Sequence, residues 1–499
     1  MAGLAAVLAV FFLGIVPSFV KCYDAQHRRN FTWQPSTFAE LGAVLSPCAS
    51  ILFPEDPRFG NATLRWQAYS APSFRAVVEV ATEGDIQKTV RFANQHSIPF
   101  LATGGAHGFV PTLGRLQNGI EIRTRNMKSI EISNDFARLG PGFTNGELIR
   151  ALWAKHKRTV TGSCMCSGMM GVTLGGGHGI IQGQYGLAAD QLLEARLVLA
   201  NGSAITVSPK SHSDLFWALK GVGHNFGILS ELKFKIYPGG SPWTRNEMFF
   251  RGDKVEQFFA EANKLTEEVN HPPELMHLII FGRRPDIDPD NVVISSILSY
   301  EGPEEKLERF ATPFRKVGPV SERTATSVQY PDLFDLNGQM EDDPPCYPDL
   351  NRHLIPVRLR KFNLSAQREV YNIFNNLTTN PGFAGTAYLF EGYPKQGVVA
   401  VSEESTAVPF RQEQLLTSPL LTYADDSLSG LAIATGKEMR KILLKGSGSN
   451  ELHAYVNYAF GDEPLQALYG YEPWRTSKLK SLKRKYDPDG SFNFYSPIV

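Results

Sequence analysis

The chain has 499 residues, with 50 Lys or Arg and 50 Asp or Glu, so its formal net charge at pH 7 is zero. A balanced charge argues against a protein that binds nucleic acid through a basic face. Hydrophobic residues make up 42% of the chain and charged residues 20%, which is ordinary for a globular protein and excludes a disordered one. The length is sufficient for two or three domains with a packed core.

The N-terminal segment contains a long apolar run. We interpret residues 1–20, with Leu4 to Val16 apolar and Pro17 after them, as a secretory signal peptide. A membrane anchor is the alternative, but the polar residues that follow leave only a marginal spanning length, so we expect no stable membrane insertion after signal removal. Five N-x-S/T sequons fit a secreted glycoprotein: Asn30, Asn61, Asn201, Asn363 and Asn376.

From Arg65 onwards the sequence alternates short strands and helices. Strands are predicted at 75–81, 98–102, 119–123, 129–132, 137–139 and 227–237, and helices after Thr82, from Asn145 to Lys155 and from Ser211 to Lys220. The Asn201-Gly202 pair between apolar stretches predicts a hairpin. We expect an α+β protein with an N-terminal segment 21–64, domains 65–239 and 240–450, and a C-terminal segment 451–499 that begins with a strand through Tyr458.

Two glycine-rich segments are candidates for binding a cofactor. Residues 161–179 contain seven glycines, and residues 102–108 form a second cluster that follows a predicted strand and includes His107. Glycine lets backbone N–H groups approach a phosphate closely, so a nucleotide cofactor is the natural ligand, with a flexible turn as the alternative. No G-x-G-x-x-G follows a strand, which excludes a Rossmann-type site. No metal is expected, because Cys164-x-Cys166 has no second ligand pair at metal spacing.

These segments and three later ones together resemble a known family. The later ones are Gln184 to Gln191, Leu215 to Ile228, and the C-terminal pair Tyr455-Val-Asn-Tyr458 and Tyr486-Asp-Pro-Asp489. In this order they are similar to the berberine bridge enzyme-like FAD-linked oxidases of the vanillyl-alcohol-oxidase superfamily, most of all to secreted fungal members such as the solanapyrone synthase-like enzymes. The resemblance implies a PCMH-type FAD-binding domain of two α/β subdomains, an α+β substrate domain, and a C-terminal segment that returns to the FAD domain.

The resemblance also implies roles for individual residues. His107 matches the histidine that bonds covalently to FAD, and Thr103 and Ala106 stand where the family usually has Arg and Gly. The residues that match FAD-contacting positions are Thr103, Gly104, Gly105, Ala106, His107, Gly108, Cys164, Gly168, Gly171, Thr173, Gly175, Gly177, Asn225, Gly227, Ile228 and Asn457.

A second flavin bond, through a cysteine, is left open. Cys164 precedes Gly175 by the spacing of the bicovalent members, whereas Cys166 is two residues late; strand alternation would place both thiols on one face. A buried free thiol is the alternative. Five cysteines leave at least one without a disulfide partner, and we expect Cys346 to pair with Cys22 or Cys48.

The expected activity is that of a secreted, monomeric FAD-dependent oxidase, with a small organic substrate and O2 as reactants. The resemblance favours a secondary metabolite as substrate over a reducing oligosaccharide, and a flavin-scaffolded cyclase is the third possibility. Tyr455 is the first candidate for the catalytic base, since strand alternation places it on the face of Asn457, with Tyr458 and Tyr185 as the other candidates.

Overall fold

The computed structural model describes residues 36–267, 271–413 and 415–499. The predicted signal peptide, the sequon at Asn30 and Cys22 lie outside these residues. Across the part of the chain that is described, no helix is long and apolar enough to cross a membrane.

A small sheet of four strands forms the first layer next to the cavity described below. In spatial order its strands are Ser50–Leu52, Phe74–Glu79, Gly119–Arg123 and Phe100–Thr103. The last three are parallel to one another. Helix Glu83–Gln95 begins at a capping box in which Thr82 and Asp85 satisfy each other's backbone N–H groups, as the sequence predicts. Strand Phe100–Thr103 runs directly into the glycine cluster, so the sheet fixes where that loop begins.

A second, antiparallel sheet lies beside the first. Its order is Ile130–Ile132, Phe136–Leu139, Ile228–Lys235, Leu192–Val198 and Ala204–Val207. The hairpin predicted at Asn201-Gly202 joins the last two strands, with Gly202 at φ 75°. A short ladder pairs Lys157–Arg158 with Tyr237–Pro238. Helices Asn145–Trp153, Met169–Leu174 and Ser213–Val222 pack with this sheet in one hydrophobic core.

The third sheet is large and antiparallel. Its strands, in spatial order, are Ser321–Val328, Trp243–Phe250, Val292–Glu301, Leu275–Arg283, Ala387–Gly392, Leu415–Tyr423 and Asn351–Leu354, with Val357–Leu359 also paired to Leu415–Tyr423. One face is covered by the helices Val255–Glu267, Glu304–Arg315, Leu364–Leu377 and Ser429–Gly446. Side chains alternate between faces, so Ile279 and Phe390 enter the helix-covered core while Leu278 and Leu389 face the cavity.

The C-terminal residues return to the first half of the chain. Helix Pro473–Tyr486 packs into the same core as the second sheet. The Asn225 side chain accepts from the Ile498 amide at 3.1 Å and so ties the chain end to the segment before strand Ile228–Lys235. The remaining α-helices are Ser36–Val44, Phe59–Thr63, Gln182–Tyr185, Asp332–Leu336, Gln396–Val399 and Leu465–Tyr469.

The strand predicted at 451–458 is wrong. Residues 451–455 are irregular, and Val456–Tyr458 is a turn of 3₁₀-helix. The backbone here bonds to single residues of different segments instead of one neighbouring strand: the His453 carbonyl accepts from Arg358 N at 2.8 Å, and Ala454 N donates to Ala467 O at 2.9 Å. The apparent alternation therefore reflects contacts on several sides and not a pleated ladder.

Candidate active site

A cavity of about 480 Å³ lies where the two small sheets, the large sheet and the C-terminal segment meet. Its lining comes from loops of the first half of the chain on one side and from strands of the large sheet on the other. The contributing stretches are 100–109, 162–174, 224–229, 337–339, 387–391, 455–458 and 491–495.

The two glycine segments meet in this cavity, backbone against backbone. A Cβ atom added to Gly168 would lie 2.7 Å from the amide nitrogen of Gly105, so neither position has room for a side chain. Within the described part of the chain, the backbone amides from Gly104 to Gly108 have no hydrogen-bond acceptor. Five consecutive free N–H groups at a cavity wall form a cradle suited to an anion such as a diphosphate.

Ala106 adopts a left-handed backbone conformation, with φ 52°. A Cβ atom makes this conformation unfavourable by about 1 kcal/mol relative to glycine. The Ala106 carbonyl accepts a hydrogen bond from Trp66 N at 3.3 Å, which holds the loop in place. The sequence departs here from the glycine of the resembling family, and the backbone keeps a glycine-like shape despite the substitution.

His107 lies at the end of this loop in a stack of three side chains. Its ring lies 4.7 Å from the Trp66 ring, and the Arg352 guanidinium lies 4.6 Å from Trp66 on a cation–π contact. Burial, together with the positive charges of Arg352 and Arg65, lowers the pKa of His107 to about 3. The imidazole is therefore neutral at physiological pH, and a neutral ring nitrogen has the lone pair that a nucleophile requires.

Three cysteine sulfur atoms lie close to one another beside His107, and the way they are bonded differs from the predicted pairing. Cys346 is bonded to Cys166, and not to Cys22 or Cys48 as expected. Among the cysteines that the structure describes, Cys164 is the free thiol; it lines the cavity, and burial raises its pKa. Residues 164–166 form a turn instead of the strand that was assumed, although the two thiols are indeed close.

A metal ion does not suit the sulfur cluster. His107, Cys164 and Cys166 place three potential ligand atoms within 4.8 Å of one another. A sulfur atom in a disulfide bond is not a thiolate, and the thiolate is the form of cysteine that ligates metals. The Cys166–Cys346 bond thus leaves too few ligands for a closed metal site.

A buried carboxyl group faces the cavity from the large sheet and was missed by the sequence analysis. Glu391 is 4% exposed, and its Oε1 atom accepts from the Tyr393 hydroxyl at 2.9 Å. Burial raises the pKa of Glu391 to about 7, and the neighbouring hydroxyls of Tyr393 and Tyr458 offset part of that effect. A glutamate within the otherwise apolar strand Ala-Tyr-Leu-Phe-Glu-Gly was the available signal, because a carboxylate is seldom buried without a role.

The three tyrosine candidates occupy different environments. The Tyr455 hydroxyl accepts from Gly177 N at 3.1 Å and from Asn457 Nδ2 at 2.8 Å, so it holds the glycine loop. Tyr458 lines the cavity, and its ring lies 5.1 Å from that of Tyr455. Tyr185 stacks on Tyr237 with ring centroids 3.7 Å apart and does not line the cavity.

Most of the predicted cofactor positions line the cavity, and a few support it from behind. Those in the lining are Thr103, Gly104, Gly105, Ala106, His107, Gly108, Cys164, Gly168, Gly171, Gly227, Ile228 and Asn457. Thr173, Gly175, Gly177 and Asn225 lie outside the lining. A Cβ atom at Gly175 would lie 2.7 Å from Asn457 Nδ2, so this glycine lets the asparagine approach the loop.

Comparison with known proteins identifies the family. A family described as "FAD binding domain" matches residues 74–208, and one described as "Berberine and berberine like" matches residues 454–498. The FAD-linked oxidoreductase chyH of Penicillium rubens is 37% identical over 96% of this chain and 97% of its own length. The chain belongs to the berberine bridge enzyme-like FAD-linked oxidoreductases. The FAD-linked oxidoreductase anuG of Penicillium roqueforti is 38% identical to this oxidoreductase, covering 92% of this chain and 91% of its own.

The fold agrees with a solved structure of lower sequence identity. Glucooligosaccharide oxidase from Acremonium strictum, whose FAD is described as 6-S-cysteinyl and 8α-N1-histidyl, superposes with a TM-score of 0.78. It is 18% identical, and the match covers 93% of this chain and 99% of that one. The predicted α+β architecture with a PCMH-type FAD-binding domain is thereby confirmed.

The cavity of this FAD-linked oxidoreductase fits the cofactor. Five polar side-chain atoms of cavity-lining residues have no hydrogen-bond partner among the described residues: Arg65 Nη1, Asn145 Oδ1, His224 Nδ1, Gln339 Oε1 and Glu391 Oε2. Buried polar atoms without partners are costly in a native protein, so they indicate a ligand. The free amides of residues 104–108 and the Arg65 guanidinium supply donors for a diphosphate, while the unpartnered oxygens offer acceptors to the N–H groups of a flavin ring edge.

Proposed function

We propose that this FAD-linked oxidoreductase is an oxidase that removes a hydride and a proton from a hydroxylated, largely apolar small molecule. The observation that supports the proposal is the cavity-facing Glu391 beside Tyr458, opposite the glycine cradle. Bound FAD supplies the hydride acceptor and returns the electrons to O2, which gives hydrogen peroxide.

Glu391 is the proton acceptor in this proposal. A general base is most effective when its pKa lies near the working pH, and burial raises the pKa of Glu391 to about 7. Burial raises the pKa of Tyr458 well above its usual value, and the negative charge of Glu391 adds to this effect. Tyr458 therefore remains protonated and orients the substrate hydroxyl, while the glutamate takes the proton. Tyr455 is already committed to backbone donors and acts as a support.

The substrate wall supports an apolar substrate. The large sheet contributes six apolar side chains and the single carboxyl of Glu391 to the cavity; the apolar ones are Leu278, Ile280, Leu354, Ala387, Leu389 and Leu420. Such a wall excludes water but offers few hydrogen bonds to a sugar, whose hydroxyls would lose their partners in water. A phenolic or polyketide-like secondary metabolite is therefore favoured over a reducing oligosaccharide.

We propose that His107 bonds covalently to FAD. The imidazole is neutral, lines the cavity and follows the diphosphate cradle directly. Secretion fits a covalent cofactor, because a flavin lost outside the cell cannot be replaced. The four sequon asparagines that the structure describes, Asn61, Asn201, Asn363 and Asn376, are exposed, as glycosylation of a secreted protein requires.

Replacement of Glu391 by Gln tests the proposed base. Gln keeps the shape and removes the proton acceptor, so the anaerobic rate of flavin reduction should fall at least about 100-fold with the flavin still bound. Tyr388→Phe is the matched control: Tyr388 lies in the same strand, faces the helix-covered core, and its hydroxyl has no partner among the described residues. An unchanged rate in Glu391→Gln would remove the glutamate from the mechanism.

A substrate screen tests the reaction type. Oxygen uptake and peroxide release should appear with hydroxylated aromatic compounds and stay near background with reducing oligosaccharides. Product formation without peroxide under air would instead support the flavin-scaffolded cyclase. Turnover of oligosaccharides alone would contradict the apolar substrate class.

A further inference from the structure

The free thiol of Cys164 touches both sulfur atoms of a disulfide bond. Its Sγ atom lies 3.3 Å from Cys166 Sγ and 3.4 Å from Cys346 Sγ, and those two atoms are bonded to each other. His107 Nε2 lies 3.2 Å from Cys166 Sγ. A thiol in contact with a disulfide is the arrangement from which thiol–disulfide exchange begins.

The backbone around these cysteines is held in place. Met165, between the two competing cysteines, is fully buried, and its amide donates to the Gln339 carbonyl at 3.0 Å. The Asn145 side chain donates to the Cys164 carbonyl at 2.9 Å, and Trp66 Nε1 donates to the Pro345 carbonyl at 2.6 Å beside Cys346. The three sulfur atoms are thus held close together by an ordered backbone.

Cys164 and Cys166 lie on opposite sides of the loop that holds His107. Cys164 lines the large cavity with the flavin cradle. Cys166 lines a separate cavity of about 360 Å³, whose lining includes Gly104 to Ala106, Arg125 and Glu147. The identity of the free cysteine therefore determines whether a thiol is present on the flavin side of the loop.

We propose that Cys164 and Cys166 compete for Cys346 by disulfide exchange, and that the outcome decides whether the flavin receives a second, cysteinyl bond. The Cys164 thiolate attacks Cys346 Sγ, the Cys164–Cys346 bond forms, the Cys166–Cys346 bond breaks, and Cys166 leaves as a thiolate. The proton lost by Cys164 ends on Cys166. One disulfide and one thiol are present before and after, so no oxidant or reductant is consumed.

The two disulfide isomers have different consequences for the cofactor, and this part of the inference rests on the proposed covalent FAD. With Cys166 bonded to Cys346, the Cys164 thiol faces the flavin and is available to it. With Cys164 bonded to Cys346, the flavin side of the loop has no thiol, and His107 is the single attachment point. Exchange is faster at alkaline pH, because burial raises the pKa of Cys164 and only the thiolate attacks.

Cyanogen bromide cleavage distinguishes the isomers, because Met165 separates the two cysteines. The purified full-length protein is incubated at pH 7 or pH 9, quenched in acid, alkylated and cleaved without reduction. Cys164 then lies in peptide 128–165, Cys166 in peptide 166–169 and Cys346 in peptide 341–439. Among molecules whose 128–165 peptide is free of flavin, we expect both linkages to peptide 341–439, with more of the Cys164 linkage after pH 9. A Cys166–Cys346 linkage alone at both pH values would overturn the proposal.

The Cys166→Ser variant provides the second test. Cys346 then has Cys164 as its nearest thiol, so we expect a Cys164–Cys346 linkage and at least a tenfold fall in any flavin carried by peptide 128–165. Cys346→Ser is the matched control. In this variant we expect Cys164 and Cys166 both to be alkylated, and Cys164 keeps its access to the flavin. Alkylation of both Cys164 and Cys346 in Cys166→Ser would show that no exchange partner exists.

The two readouts separate this inference from the proposed function. Linkage mapping follows sulfur atoms alone and needs no bound flavin. A protein with both linkages but no flavin would contradict the proposed oxidase and support the exchange. Two results together would contradict only the exchange: a flavin-containing protein with the Cys166–Cys346 linkage alone at both pH values, and alkylation of both Cys164 and Cys346 in Cys166→Ser.

Discussion

The two walls of the active-site cavity are built on different principles. The flavin-side wall consists of backbone: the glycine segments 104–108 and 168–171 touch each other, and the first of them presents free amides. The opposite wall consists of side chains on alternate positions of the large sheet, such as Leu278, Leu389 and Glu391. Backbone recognition requires glycine at fixed positions and so leaves a visible pattern in the sequence. Recognition by strand side chains leaves none, since each position tolerates many residues.

The largest expected effect concerns the end of the backbone wall, at His107. In the unmutated protein the flavin should stay in the pellet after trichloroacetic acid precipitation. His107→Ala should reduce the acid-stable flavin to the amount that Cys164 carries, and adding Cys164→Ser should bring it to zero. His96→Ala, at a partly exposed histidine paired with Glu40, is the control and should leave the flavin bound. Flavin in the supernatant of the unmutated protein would refute the covalent bond.

The contact between the two glycine loops can be broken by a single methyl group. Gly168→Ala places a Cβ atom 2.7 Å from Gly105 N, so the loops must separate; we expect FAD content to fall about tenfold, with a stability loss of about 1–3 kcal/mol. Gly60→Ala is the control: it lies in helix Phe59–Thr63, outside the cavity lining, and its Cβ atom meets nothing within 4 Å. Absorbance at 450 nm per protein and thermal unfolding measure both effects. Equal losses in the two variants would show that glycine flexibility, and not close approach, is what matters.

The side-chain wall should make the rate of flavin reduction depend on pH. With Glu391 as the base, the carboxylate is the active form, and its pKa is raised to about 7 by burial. The rate of anaerobic flavin reduction should therefore rise with pH up to about 7 and fall about tenfold for each pH unit below it. Stopped-flow reduction across pH 5 to 9 measures the profile. The acid limb should disappear in Glu391→Gln, and its persistence there would assign the titration to another group.

The smallest expected effect is a gain in stability at Ala106. Its φ of 52° favours glycine, so Ala106→Gly should relieve about 1 kcal/mol of strain, less the entropy that glycine adds to the unfolded chain. The net result should be a small increase in the midpoint temperature of thermal unfolding. Ala102→Gly, inside the regular strand Phe100–Thr103, should instead destabilise the protein by about 0.5–1 kcal/mol. A loss of stability in Ala106→Gly would mean that its methyl group makes contacts that outweigh the strain.

Sequence reasoning succeeded where a residue type is forced by backbone geometry. The strand before His107, the capping box at Thr82 and the Asn201-Gly202 hairpin were all predictable from local patterns. It failed where distant segments decide the outcome. The Cys166–Cys346 bond joins residues 180 positions apart, and no spacing rule encodes that pairing.

The influence of distant segments also explains why Glu391 was missed and why the strand at 451–458 was wrongly predicted. Glu391 is the one charged residue of strand Ala387–Gly392, but its burial and its position on the cavity side come from the surrounding sheet and cannot be read from the strand alone. Residues 451–458 alternate in the manner of a strand, yet Tyr455 and Asn457 share a side because both reach the glycine loop. Their shared side was predicted from a strand, whereas the structure provides it through a 3₁₀ turn.

The C-terminal residues that close the cavity determine when the cofactor pocket becomes complete during folding. Tyr455 and Asn457 hold the glycine loop, and Phe492 and Tyr495 line the same cavity, so the pocket has no complete wall until residues 455–495 have folded onto the first half of the chain. The full set of cofactor contacts therefore forms only after the C-terminal segment has docked onto the first half of the chain.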